Sequence, residues 1–138
     1  KVKRHKELRQ GKGFETIEQP QDLQLIKNRV KNKTVLIECL SNLTANEMFK
    51  ENEFVPKDYV TKKIISDIYE IFESSKNTVI VTNNIFEEVS EYDMATKEYI
   101  EALGEINQKI SSIADVVTEV VYSIPVEIKS NTFPGGLK

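Results

Sequence analysis

The chain has 138 residues, 39% hydrophobic and 30% charged, with a formal charge of -3; this is the composition of a soluble globular protein with room for one domain and its core. The net charge gives no reason to expect nucleic-acid affinity, and no apolar run approaches the roughly 18–20 residues that cross a bilayer. A single cysteine, Cys39, and a single histidine, His5, exclude a disulfide framework, leave no His/Cys set for a metal, and suit a reducing cytoplasm.

Residues 1–20 combine charges and turn-formers, which predicts a helix end, a loop and a short extended piece closing at "IEQP". Over 21–30, Leu23, Ile26 and Val30 fall on one face of a short amphipathic helix. "TVLIECL" is a continuous apolar run after the turn-like "KNK". Its lack of alternation predicts a strand covered on both faces, as in a parallel sheet. A helix follows, with Ser41 or Asn42 as its cap. From Pro56 to Glu73 the residues Val60, Ile64, Ile65, Ile68, Tyr69 and Phe72 recur at helical spacing, with Pro56 suited to the first turn.

"NTVIVTNN" reads as a second buried strand. The segment 93–114 is a long helix striped by Ile100, Leu103, Ile106, Ile110 and Ile113, and "DVVTEVVYSIP" is a third strand limited by Pro125. Residues 130–138 have the composition of a poorly ordered tail. Strand–helix–strand–helix–strand, with crossovers too long for hairpins, predicts a three-layer α/β sandwich around a mostly parallel sheet. It would form one domain over 1–129.

Ligands of such sheets collect at the carboxyl ends of the strands. Glu38, Cys39, Ser41 and Asn42, then Thr82, Asn83 and Asn84, and finally Ser123 are predicted to lie there. A carboxylate ending an apolar strand is costly to bury alone. Glu38 therefore either meets a ligand or caps the following helix. Cys39 reads as a small buried hydrophobe. The phosphate loop G-x-x-x-x-G-K-S/T is absent from these residues, as are the dinucleotide and nucleophile-elbow motifs, and Gly11–Lys12–Gly13 is only a flexible turn.

Six of the first twelve residues are Lys or Arg, and His5 sits among them. The residues alone leave two readings open: a surface histidine in a solvated basic arm, or a nucleophile toward phosphorus. An imidazole with its ordinary pKa of about 6.5 is available in neutral form. The cations around it would stabilise charge on a phosphoryl oxygen. Arg9, four residues on, would share its helical face and can fork onto a phosphate.

"RHKELRQGKGFETIEQP" resembles the His-x-x-x-Arg segment, followed by an aromatic and T-x-E, of the bifunctional adenosylcobinamide kinase/adenosylcobinamide-phosphate guanylyltransferase family of cobalamin biosynthesis. "TVLIECLSNLTANEMF" is similar to that family's second strand and helix, and "VIVTNNIF" to its V-T-N-E strand end. "EYIEALGEINQKISSIADVVTEVVYSIPVEIK" resembles its closing helix and last strand. The four matches run in the family's order over almost the whole chain.

The resemblance implies a P-loop NTPase-like fold and an enzyme that phosphorylates adenosylcobinamide, then transfers GMP from GTP to that phosphate through a guanylylated histidine. It implies that His5 carries GMP and that Lys6, Glu7, Leu8, Arg9, Glu18 and Glu38 contact the nucleotide. Asn83, Asn84 and Asn107 are further candidates. GTP or ATP with Mg2+ as substrates and a trimeric assembly are implied as well.

Two departures stand out. The family opens with a strand and a P-loop, so the chain is expected to be a fragment, with that loop about 40–50 residues upstream. Without the loop's amides and lysine, these residues alone are not expected to hold a triphosphate tightly. The family's acid after T-N is Asn84 here, which sets kinase activity against guanylylation. A non-catalytic remnant that binds nucleotide or a partner subunit is the alternative. A nucleic-acid-binding module with a basic arm is a further reading, but Phe14 is the only aromatic near that arm.

Overall fold

The computed structural model describes residues 2–85 and 92–131, with the side chains of Val2 and His5 outside the description. The basic segment forms helix α1 (Val2–Arg9). A turn then places Gly11 and Gly13 at φ 77° and 76°, a conformation that glycine adopts without strain. Residues 14–19 run without regular structure to a 3-10 turn at Leu23–Ile26.

The amphipathic helix expected over 21–30 is thus only this 3-10 turn and the turns after it. Its apolar face is nonetheless placed as expected, since Leu23, Ile26 and Val30 are all buried.

Strand β1 (Thr34–Glu38) leads into helix α2 (Leu40–Met48). A minimal hairpin of β2 (Phe49–Lys50) and β3 (Glu53–Phe54) follows, joined across Phe49 and Phe54. Helix α3 (Lys57–Ser74) runs into β4 (Asn77–Val81). Pro56 stands at the N-cap of α3, one residue before its first turn. Cys39, not Ser41 or Asn42, is the N-cap of α2, and it makes no side-chain capping bond. Strands β1 and β4 pair in parallel from Thr34↔Asn77 to Glu38↔Val81, as a strand–helix–strand crossover requires.

Helix α4 (Met94–Ile113) begins at Asp93, whose carboxylate accepts a hydrogen bond from the Thr96 amide at 2.8 Å. The Thr96 amide, helped by its hydroxyl, holds the Asp93 carboxyl below the ordinary carboxylate range. Its contribution is therefore present above the unfolded value of about 3.9 and is lost as pH falls through the lower native value. Asp93→Ala is expected to lower Tm at neutral pH, and the gap to wild type should close in acid when melts are run across pH.

The third strand departs from expectation. β5 (Val116–Val121) pairs antiparallel with β6 (Ile124–Ser130). Tyr122 and Ser123, at φ 49° and 63°, make the two-residue loop whose positive φ values suit a hairpin. Pro125 does not end a strand but lies within β6 opposite Val120. Ser130 and Asn131 close the hairpin, with the Asn131 amide donating to the Asp115 carbonyl at 2.8 Å. They are not a tail; the expected disorder of the rest of the tail, 132–138, falls outside the described residues. Lys129 fastens the hairpin to α4 by donating from Nζ to the carbonyls of Ser111 and Ser112 at 3.1 and 2.9 Å, a favourable place for a cation.

One core joins the helices to one face of the β1–β4 pair. It contains Ile37 of β1, Leu40 and Leu43 of α2, Ile64, Ile68 and Ile71 of α3, and Leu103 and Ile106 of α4. Tyr69, expected in the α3 stripe, is exposed and stacks edge-on against Phe72. The opposite face of the strand pair carries Leu36, Val79 and Val81, all exposed. Among the described residues, then, the strands are covered on one face rather than two. The fold is mixed α/β with a small parallel sheet. No described helix is long and apolar enough to cross a membrane.

Candidate functional site

The carboxyl ends of β1 and β4 are in register at Glu38 and Val81. Beside them opens a cleft of about 620 Å³ that has Ile37, Glu38, Val81 and Asn83 on its sheet side. The segment Thr16–Pro20 forms another wall, Lys6 and Arg9 of α1 reach it, and Cys39, Asn42 and Asn46 line it from α2. Because α2 begins at Leu40 and Cys39, Asn42 and Leu43 line the cleft, the positive pole of the helix lies beside it, an arrangement that favours an anion.

Charges of both signs meet there. Lys6 pairs with Glu18. Arg9 Nη2 lies 3.8 Å from Glu38 Oε2, with both side chains about two-thirds buried at 29% and 33% exposure. Glu38 therefore faces a guanidinium across the cleft and does not cap α2. His5 lies on α1 one residue before Lys6 and one turn before Arg9, while its side chain lies outside the described residues. Glu7 and Leu8 are exposed and do not line the cleft.

A polar chain runs inward from Asn83. Its Nδ2 donates to Ser41 Oγ at 3.0 Å, Cys39 Sγ lies 3.0 Å from the same hydroxyl, and Tyr99 donates to the Ser41 carbonyl at 3.1 Å. Burial first, then the electrostatic interaction with Cys39, pushes the Tyr99 phenol upward. Cys39 is half-buried on the cleft rather than a core residue. Asn107 accepts from Thr82 Oγ1 at 2.8 Å and so ties α4 to the end of β4. Asn84 is exposed and outside the lining. Ser123 sits in the exposed hairpin loop, not at a ligand-facing strand end.

Asn42 lines the cleft at the strand end where it was expected, although it does not cap α2, whereas Thr16, Gln19 and Asn46 were not anticipated. The signal for Asn46 was its spacing from Asn42, four residues apart on one helix and hence on one face.

Fold and cleft together define a class, the mixed α/β proteins with a polar, charged cleft at the carboxyl ends of parallel strands. Comparison with protein families is more specific. The model of the family described as cobinamide kinase / cobinamide phosphate guanyltransferase matches residues 1–128, and the chain belongs to that family. Comparison with curated protein sequences gives no match.

Proposed function

We propose that this chain serves phosphorylation of adenosylcobinamide and GMP transfer from GTP to the resulting phosphate, with His5 as the guanylylated residue. The observation that carries the proposal is convergence on one cleft. Lys6 and Arg9, which follow His5 on α1, meet Glu18 of the cleft wall and Glu38 at the end of β1, within a chain matched to the family over residues 1–128.

The transfer takes two displacements. A ring nitrogen of neutral His5 attacks the α-phosphorus of GTP; the N–P bond forms, the α–β P–O bond breaks and pyrophosphate leaves. A phosphate oxygen of adenosylcobinamide phosphate then attacks the same phosphorus and the N–P bond breaks, returning His5. Lys6 and Arg9 stabilise the charge that builds on the phosphoryl oxygens. Glu38 and Glu18 serve as guanine acceptors, since one carboxylate can accept from both the ring N–H and the exocyclic amine.

Among the described residues, no group of three or more His, Cys, Asp or Glu is gathered to hold a metal. Mg2+ belongs to the proposal as the counter-ion of the nucleotide, GTP or ATP. The proposal carries with it a homotrimer, which the family resemblance implies, and, from the lone cysteine and the chain's length, a cytoplasmic location and a single domain over 1–129.

Incubating the full-length protein with α-labelled GTP tests the proposal. Acid-labile label on the protein, chased off by adenosylcobinamide phosphate, is the expected result; bound GTP with neither label nor pyrophosphate release would favour the non-catalytic reading, to which Asn84 in place of an acid lends support.

Glu38→Gln probes base recognition separately. Calorimetric titration is expected to show GMP binding about 10- to 100-fold weaker, the scale of one lost charge-assisted contact, with AMP unaffected. Equal weakening of AMP would mean that Glu38 acts through Arg9 instead.

A further inference from the structure

The wall segment 16–22 has no strand partner, yet it carries Glu18 and a full side of the cleft. Something other than a sheet ladder must hold it. Its own contacts begin with Gln19, whose Nε2 donates to the Gln21 carbonyl at 2.6 Å. Gln21 Nε2 in turn donates to the Asn46 carbonyl near the end of α2 at 2.5 Å. The Asp22 amide donates to Glu47 Oε1 at 2.7 Å, with Asp22 at φ 53° and ψ 55°.

Glu47 is 1% exposed, and a carboxylate that deep needs compensation. Lys63 of α3 supplies it, with Nζ 2.6 Å from Glu47 Oε1, 3.0 Å from Asp22 Oδ1 and 3.0 Å from Asp67 Oδ2. Lys50 stands 3.8 Å from the other Glu47 oxygen. One carboxylate oxygen thus receives both the wall's backbone and the ammonium that belongs to α3. A buried ion pair is a poor device for stability alone, because desolvation offsets its attraction; fixing one geometry among several is the use that matches this arrangement.

We infer that Glu47 and Lys63 are positioning residues: together they clamp the 16–22 wall between α2 and α3 and thereby set where Glu18 stands in the cleft. The ligand consequence rests on the reading of the cleft as a nucleotide site; the clamp itself does not.

Burial pulls the Lys63 ammonium down, but its hydrogen bonds to Glu47, Asp67 and Asp22 together raise it well above the ordinary lysine range, so Lys63 stays a cation throughout the neutral range. The wall is also anchored by Ile17 and by Leu23, which is 5% exposed. Loss of the clamp should therefore loosen the wall without unfolding the chain.

The test has two arms in the full-length protein. In the first, Lys63→Met is expected to speed NMR-detected hydrogen exchange at the Asp22 and Leu25 amides by at least about tenfold, a 1.4 kcal/mol local change, while Ala102 and Leu103 in α4 stay protected. Unchanged exchange at Asp22 and Leu25, or equal loss in α4, overturns the clamp. Asp22→Asn removes a single ion pair, keeps the backbone bond and suits the left-handed φ. It should give an intermediate effect even if Lys63→Met folds poorly, and no effect in that variant also counts against the clamp.

In the second arm, GMP affinity is measured for Lys63→Met, Glu18→Gln and the double variant. The two losses are expected to be non-additive in affinity while additive in stability, because one change acts through the other; additive losses in affinity refute the link to Glu18. Should wild type bind no GMP, the nucleotide reading falls while the exchange arm still decides the clamp.

Discussion

His5→Ala is expected to reduce acid-labile labelling by α-labelled GTP to background, with labelled protein quantified after gel filtration in alkali. His5 is the single histidine of these 138 residues, so no second imidazole among them can take over the N–P bond. Neighbouring changes should behave differently. Arg9→Ala leaves the nucleophile and removes a fork, so labelling should persist at a rate about 10- to 100-fold lower, the scale of a lost charge-assisted contact. Arg9→Lys should recover only part of that rate, because an ammonium cannot replace two parallel N–H donors. Undiminished label in His5→Ala would refute His5 as the acceptor and leave the cations of α1 as binding groups only. The contrast between complete and partial loss separates a covalent role from an electrostatic one.

How far the sequence disclosed this site depends on the kind of signal each residue carries. Lys6, Arg9, Glu18 and Glu38 were legible because they belong to ordered local patterns, and all four line the cleft. The α3 and α4 core faces were legible for the same reason: a 3.6-residue period is visible within one segment. The clamp was not. Glu47, Lys63 and Asp22 come from three separate segments, and only Lys63 with Asp67, four residues apart, leaves a trace in one helix. The hairpin of β5 and β6 was hidden for another reason. Its loop is Tyr122–Ser123, without the Asn-Gly or Gly signal by which such loops are read, so the run looked like one strand ended by Pro125. The two-sided cover expected of β1 and β4 rested on an absence of alternation, which fits a buried strand but does not identify what lies on each face.

That last point sets up a sharp contrast in stability. Leu103→Ala is expected to cost about 2–5 kcal/mol, since it removes a fully buried side chain and leaves a cavity in close-packed surroundings. Leu103 is 0% exposed in the core that α4 shares with α2 and α3, and its neighbours are held by long helices that can collapse only in part. Val79→Thr lies on β4, in the heart of the apolar run, yet Val79 is 53% exposed. A β-branched replacement keeps the strand propensity, and an exposed change of this kind is worth within about 0.5 kcal/mol. Urea unfolding of both variants should therefore give a large fall in midpoint for the first and almost none for the second, at constant m. If Val79→Thr costs as much as an interior hydroxyl, about 1–3 kcal/mol, the outer face of the pair is covered in the folded protein. The two-layered sheet cover predicted from the unbroken apolar run would then hold. Leu36→Thr, directly across the register from Val79, must give the same answer, because one layer would cover or expose both.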